Sequence, residues 1–234
     1  TGERVFELPR GFDGLTEGSP RIVDGRLLVG VVRDGDAMRL EASDLATGQL
    51  RWLTPLPRPV GRRADFVTRQ LLELGGKLVL LDATGSLRTF DAAEGTLEVE
   101  TSVTGGASPA SSRAIALLED RVVVLARDPG NRSVLTAFDR RTGKALWRSS
   151  ESFRAISQAV LLSDGRTLVA VMTPQPSRGG VQASGLEYQI VVVDPADGTT
   201  ALISAPGLGS WLPSAEIVDG TLIVAGVRRF SVYR

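Results

Sequence analysis

A glycine followed four residues later by an apolar residue recurs five times along the chain, at Gly2/Phe6, Gly48/Trp52, Gly95/Val99, Gly143/Trp147 and Gly198/Leu202. Successive glycines lie 46, 47, 48 and 55 residues apart. Repetition at such a period means that one supersecondary unit is copied, and that each copy buries its apolar faces against its neighbours. Propeller blades and solenoid repeats are built this way; one irregular domain is not.

The third copy shows what the unit is. Arg113-Ala-Ile-Ala-Leu-Leu-Glu-Asp, Arg121-Val-Val-Val-Leu-Ala, Val134-Leu-Thr-Ala-Phe-Asp and Lys144-Ala-Leu-Trp-Arg are each strand-length and apolar or β-branched. The breaks between them carry the Asp, Gly, Pro, Asn and Ser of tight turns. Four short strands per repeat make a propeller blade. At the first turn stand Ile22-Val-Asp-Gly-Arg, Leu74-Gly-Gly-Lys, Glu119-Asp-Arg, Ser163-Asp-Gly-Arg and Ile217-Val-Asp-Gly-Thr. Asp-Gly and Gly-Gly there suit the positive φ angles of two-residue hairpins. The turn between the third and fourth strands reads Asp44-Leu-Ala-Thr-Gly48, Asp91-Ala-Ala-Glu-Gly95, Asp139-Arg-Arg-Thr-Gly143 and Asp194-Pro-Ala-Asp-Gly198. Its glycine takes a left-handed conformation and its leading Asp accepts backbone N–H bonds. An Asp-rich turn also invites a calcium reading, but the spacing lacks the convergent oxygens of a calcium loop, and hydrogen bonding explains every copy.

The fold class expected is all-β, a β-propeller of four-stranded antiparallel blades. As one domain over residues 1–234, its blades fall at about 14–57, 64–103, 111–150 and 153–206, with a fifth at 211–234. The last of these supplies three strands through Phe230-Ser-Val-Tyr-Arg234, and residues 1–9 read as a fourth strand without its first three. Pairing of the two ends would close five blades and remove the exposed edge. The rival expectation is a fragment of a larger propeller. The start at Thr1-Gly2-Glu3 reads as that of a processed or excised product, with any targeting segment upstream.

Ala137-Phe-Asp-Arg-Arg-Thr-Gly-Lys-Ala-Leu-Trp147 and Ala42-Ser-Asp-Leu-Ala-Thr-Gly-Gln-Leu-Arg-Trp52 resemble the PQQ-like repeat of the quinoprotein-dehydrogenase-like propellers. Blades of that family end in Leu-Asp-x-x-Thr-Gly-Lys-x-x-Trp. Phe6, Val99 and Leu202 stand where the family prefers tryptophan. The resemblance implies that Trp52 and Trp147 dock between neighbouring blades. It also invites a quinone-cofactor dehydrogenase, whose members use a catalytic aspartate, a calcium site built from Glu and Asn, and often a vicinal cysteine pair. This chain has no cysteine, and Asn131 is its one asparagine. The expectation is therefore a chain without catalytic residues, cofactor or metal. It resembles the branch that includes the propeller lipoprotein of the outer-membrane barrel-assembly machinery, a protein-interaction, scaffold or ligand-sensing domain of a bacterial extracytoplasmic protein. The alternative is a fragment or degenerate member of a dehydrogenase or other propeller enzyme.

Composition narrows the chemistry further. The absence of histidine removes the commonest general base and rules out a Ser-His-Asp triad. No carboxylate pair stands out for glycoside hydrolysis. A formal net charge of zero argues against a nucleic-acid partner. No run approaches the ~18–20 apolar residues of a spanning helix, so no membrane insertion is expected within this chain. The 25 arginines against two lysines read first as a trace of a GC-rich genome.

Candidate site residues follow from loop lengths. Strands alternate direction within a blade, so turns after the first and third strands share one end, and the longer, variable loops share the other. Variable loops on a rigid scaffold are the usual address of binding residues. That end carries Arg10, Arg33, Arg58, Arg62, Arg63, Arg127, Arg132, Arg178, Arg228 and Arg229, whose guanidinium forks suit carboxylate or phosphate. Trp211 lies outside the packing register, as an anchor at a contact surface or a cap on the central channel. The partner expected is a protein or peptide, and the arginines suit an acidic peptide, glycan or protein; the alternative is a solvated mixed surface, since Asp13, Asp34, Asp36, Asp65 and Asp128 offset most of the charge.

Overall fold

Each blade begins with a hairpin. In the computed structural model of the chain, which describes residues 20–34, 37–57, 71–81, 86–103, 112–128, 130, 132–149, 153, 156–174, 188–205, 214–218, 221–225 and 230–233, these hairpins close in three ways. Gly75 and Gly76, at φ 60° and 73°, form a two-residue loop between Leu74 and Lys77. Glu119 and Asp120 also form a two-residue loop, with Leu118 N donating to Arg121 O at 2.9 Å, but neither has positive φ. The expected two-residue hairpin at Asp24-Gly25 is corrected: Val23 pairs with Leu27, so Asp24-Gly25-Arg26 is a three-residue loop, and Asp24 is the one described non-glycine residue with positive φ. The expected two-residue hairpin at Ser163-Asp-Gly-Arg is corrected: Ser163 pairs with Leu168, leaving a four-residue loop. Asp164 Oδ1 accepts from Arg166 N and Thr167 N at 3.0 and 2.8 Å, so a side-chain-capped turn replaces the tight one.

The chain divides into two compact units, Thr1–Ser102 and Val103–Arg234. In the first, β1 (Arg21–Val23), β2 (Leu27–Asp34), β3 (Ala37–Asp44) and β4 (Leu50–Leu56) form one antiparallel sheet in chain order. β5 (Leu72–Leu74), β6 (Lys77–Leu81), β7 (Ser86–Asp91) and β8 (Leu97–Ser102) form a second. Met38, Leu40 and Ala42, alternating along β3, pack with Leu78, Leu80 and Phe90 in one core. Leu40, Leu78 and Phe90 are fully buried.

The second unit holds β9 (Ser112–Leu117), β10 (Arg121–Arg127), β11 (Ser133–Asp139) and β12 (Ala145–Arg148), then β13 (Ile156–Ser163), β14 (Leu168–Pro174), β15 (Tyr188–Val193) and β16 (Thr200–Ala205). A three-stranded sheet of β17 (Ser214–Val218), β18 (Thr221–Ala225) and β19 (Phe230–Tyr233) follows. Val122 to Ala126 are all buried. That is why β10 reads as a continuous apolar run and not as an alternating one: both of its faces are covered. Val123 and Leu125 belong to a core shared with Leu168, Ala170, Met172 and Val191 of the next blade. Truncating a fully buried leucine here, such as Leu125, costs about 2–5 kcal/mol.

The outer strands behave differently. β4, β8 and β12 alternate exposed and half-buried residues, and Leu50, Leu53, Leu97 and Leu146 are exposed. The register of each slips by one residue, between Ala42 and Ser43, Thr89 and Phe90, and Ala137 and Phe138. Arg51, Glu98 and Leu146 are thereby left without a cross-strand partner, directly before Trp52, Val99 and Trp147. A bulge of this kind re-aims the side chain that follows it. No helix occurs among the described residues, and none there is long and apolar enough to cross a membrane. The closing strand expected at residues 1–9 lies outside the described residues.

Candidate functional site

At one end of each four-stranded blade lies a nearly identical turn. In the Asp44, Asp91, Asp139 and Asp194 copies the glycine N–H donates to the aspartate carbonyl at 2.7–2.9 Å. The aspartate Oδ1 accepts from the N–H two residues on, at 3.0, 2.9, 3.0 and 2.7 Å. Thr47 and Thr142 add their hydroxyls to the same oxygen, at 3.1 and 2.8 Å. Gly48, Gly95, Gly143 and Gly198 sit at φ 68–79°, where a Cβ is strained.

Charge follows from this geometry. The Arg51 guanidinium, 2.6 Å from Asp44 Oδ2, and the Thr47 N–H pull the Asp44 carboxyl down to about 2. Asp139 is lowered first by the Thr142 hydroxyl, and Asp91 first by the Glu94 N–H. The Lys77 ammonium, between Glu98 and Asp91, is raised by both. In three blades the first turn is also laced to the third, whereas in the fourth the donor position is Pro195, which has no N–H. Leu45 N donates to Arg26 O at 2.7 Å, Ala92 N to Gly76 O at 2.9 Å and Arg140 N to Asp120 O at 3.0 Å.

Within each unit one of these turns is the docking point for the preceding blade. The Trp52 ring lies on Gly95 so closely that a Cβ there would come within 2.6 Å of Cδ2, and Thr54 Oγ1 donates to Gly95 O at 2.5 Å. The Trp147 ring covers Gly198 in the same way, with Cε3 2.5 Å from the position of a Cβ. Pro195 O accepts twice from the preceding blade, from Trp147 Nε1 at 2.9 Å and from Arg121 Nη1 at 2.6 Å. The two tryptophans are thus packing residues, each seated on the turn glycine of the following blade.

A quinone cofactor with its calcium does not fit these residues. Oδ1 of Asp44, Asp91, Asp139 and Asp194 is already committed to the turn's own N–H groups, and among the described residues no three acids converge.

At the opposite end, Arg58, Arg62, Arg63, Trp211, Arg228 and Arg229 lie outside the described residues. Of the β10–β11 loop there, Asp128, Gly130 and Arg132 are described. Asp128 Oδ1 accepts from Arg132 N at 2.9 Å, and Oδ2 accepts from Arg132 Nη2 at 3.2 Å and Nε at 3.3 Å. Arg148 Nη2, from β12, is 3.7 Å from the same Oδ2. The Arg132 N–H is the largest cause holding the Asp128 carboxyl below its usual range. Sequence reasoning counted Asp128 as an offsetting surface acid and did not find Arg148, which is 20 positions away and brought in by strand pairing. It also missed two charged residues inside the blades. Glu41 and Arg88 are buried at equivalent positions on β3 and β7, paired with Arg39 and Glu100.

Blades of four antiparallel strands in chain order, each outer-strand tryptophan seated on the turn glycine of the next, define a β-propeller of the PQQ-like repeat class. The sequence model of one family in that class, described as "Outer membrane protein assembly factor BamB", matches residues 1–226, and the chain belongs to this family. The outer membrane protein assembly factor BamB of Burkholderia pseudomallei (strain K96243) is 35% identical over 116 residues, which is 48% of this chain and 28% of that protein. The crystal structure of BamB from Moraxella catarrhalis matches 97% of this chain and 58% of its own, at TM-score 0.56 and 19% identity. Quinohemoprotein alcohol dehydrogenase ADHIIG from Pseudomonas putida HK5 matches 97% of this chain and 41% of its own, at TM-score 0.51 and 18% identity. At these identities the structural likenesses show the fold alone. The chain spans 28% of the length of the curated relative and 58% of that of the BamB crystal chain.

Proposed function

We propose that the chain is a non-catalytic protein-interaction scaffold that works outside the cytoplasm in the assembly of outer-membrane proteins. The observation that carries this reading is the family match over residues 1–226. Two features of the molecule support it. The repeated acids are engaged in hydrogen bonds that stiffen turns, which suits a scaffold better than a reaction centre. Arg132 and Arg148, exposed at the loop end, suit an acidic protein surface.

The test is complementation. The chain, exported to the periplasm of a Burkholderia strain lacking BamB, is expected to restore outer-membrane protein levels at least in part. Exported, folded chain that restores nothing would overturn the assembly reading. A parallel assay supplies the quinone cofactor, calcium and an alcohol, and follows dye reduction. Saturable turnover there would overturn the non-catalytic reading.

A further inference from the structure

We propose that Arg132 and Arg148, gathered on the single carboxylate of Asp128, form a docking point for a carboxylate of an acidic segment in a protein partner. The inference deepens the scaffold reading by naming the chemistry of the partner. An ordinary surface pair joins one cation to one anion and leaves nothing over; Arg51 and Asp44 are such a pair at the turn end. At the loop end two guanidiniums converge on one oxygen, and the trio keeps a net positive charge.

The anion is inside and the cations are outside. The Asp128 side chain is 4% exposed, whereas those of Arg132 and Arg148 are 61% and 46% exposed. Arg132 spends Nε and one hydrogen of Nη2 on Asp128, so Nη1 stays available; Arg148 touches only the edge of the carboxylate, at 3.7 Å. Among the described residues neither arginine has a further ion-pair partner. Asp128 therefore does two things for a ligand. It offsets the repulsion between the guanidiniums, and it holds the Arg132 fork in place through two hydrogen bonds, so less side-chain entropy is lost on binding. The buried carboxylate is itself fixed by the loop backbone. Gly130 stands so close that a Cβ there would sit 3.2 Å from Asp128 Oδ1. A carboxylate accepting from two forks at once makes the strong, charge-assisted kind of hydrogen bond.

The test is titration of the 15N-labelled chain with a glutamate-rich peptide at low ionic strength, following the Nε–H resonances of Arg132, Arg148 and Arg51. Saturable shifts at Arg132 and Arg148, with Arg51 unmoved, are expected. Replacement of both by glutamine, Arg132→Gln with Arg148→Gln, should weaken peptide binding at least about fivefold, or ~1 kcal/mol; the denaturant midpoint should fall too, because the buried Asp128 loses its counter-charges, so binding is compared at a temperature where amide spectra show the variant folded. Gly130→Ala, which leaves both arginines in place but crowds the carboxylate, should weaken it less. Equal shifts at Arg51, no saturation, or tighter binding of inorganic phosphate than of the peptide would each overturn the proposal. Because the peptide titration needs no cell envelope, a failed complementation with a successful titration removes the assembly role and leaves this surface standing; the converse removes only the surface.

Discussion

Replacing Gly95 with alanine separates two costs that the repeat imposes at one atom. Gly95 sits at φ 69°, and a Cβ there would come within 2.6 Å of Trp52 Cδ2 and 2.8 Å of Cζ3. The left-handed backbone costs an L-residue about 1–2 kcal/mol, and forcing a methyl against a packed ring costs about 1–3 kcal/mol. The turn cannot easily recede, because Gly95 O is held by Thr54 Oγ1 at 2.5 Å and Gly95 N by Asp91 O at 2.9 Å. Gly25→Ala is the control within the same unit: it has φ 63°, with nothing within 4 Å of its Cβ position, so only the backbone part applies. The assay is urea unfolding followed by amide exchange at Leu78 and Leu80, which lie in the core of this unit. Gly95→Ala is expected to lose about 2–5 kcal/mol, and Gly25→Ala about 1–2 kcal/mol. If the two fall within about 0.5 kcal/mol of each other, the seating of Trp52 on the glycine is wrong.

The other interblade contacts give further expectations. Trp147→Ala should cost about 3 kcal/mol, the lower end of the range for large-to-small core changes, because the ring is half-buried; a parent-like denaturant midpoint would contradict that placement. Trp147→Phe keeps an aromatic ring but loses the Nε1–H bond to Pro195 O, and should cost about 1 kcal/mol by the same measurement. Thr54→Val removes the hydroxyl that serves Gly95 O and should likewise cost about 1 kcal/mol. Acid should loosen the turns. Asp44, Asp91, Asp120, Asp128, Asp139 and Asp197 are all held below their ordinary value of 3.8, so folding favours their ionised forms. That stability is fully present above the ordinary value and is lost as pH falls toward the folded value, about 2 for Asp44. Thermal melts between those limits should show falling midpoints, less steeply in Asp44→Asn; midpoints independent of pH would count against the turn hydrogen bonds.

Much of the fold was legible because its signals are local. The Asp-to-Gly turn needs one acceptor, one left-handed residue and a few N–H groups, all within five positions, so its copies stand out in the chain. β10 was legible for the same reason, since a strand covered on both faces reads as an unbroken apolar run. The hairpin at Ser163 was misread because Asp-Gly serves a two-residue loop as readily as a longer one that the aspartate caps. The candidate site was less legible. Asp128 and Arg132 are neighbours in sequence and signal a turn, but Arg148 joins them only because β12 pairs with β11.

The sequence by itself determined the repeat, the strand order within a blade and the residues of the Asp-to-Gly turns. These follow from backbone conformation and from which side chains water excludes. Only the tertiary structure decided that Pro195 O would take Trp147 and Arg121, 48 and 74 positions away, and that one buried carboxylate would gather two exposed arginines. Contacts between strands and blades depend on register and on how closely backbones approach. Neither leaves a mark in the spacing of residues along the chain.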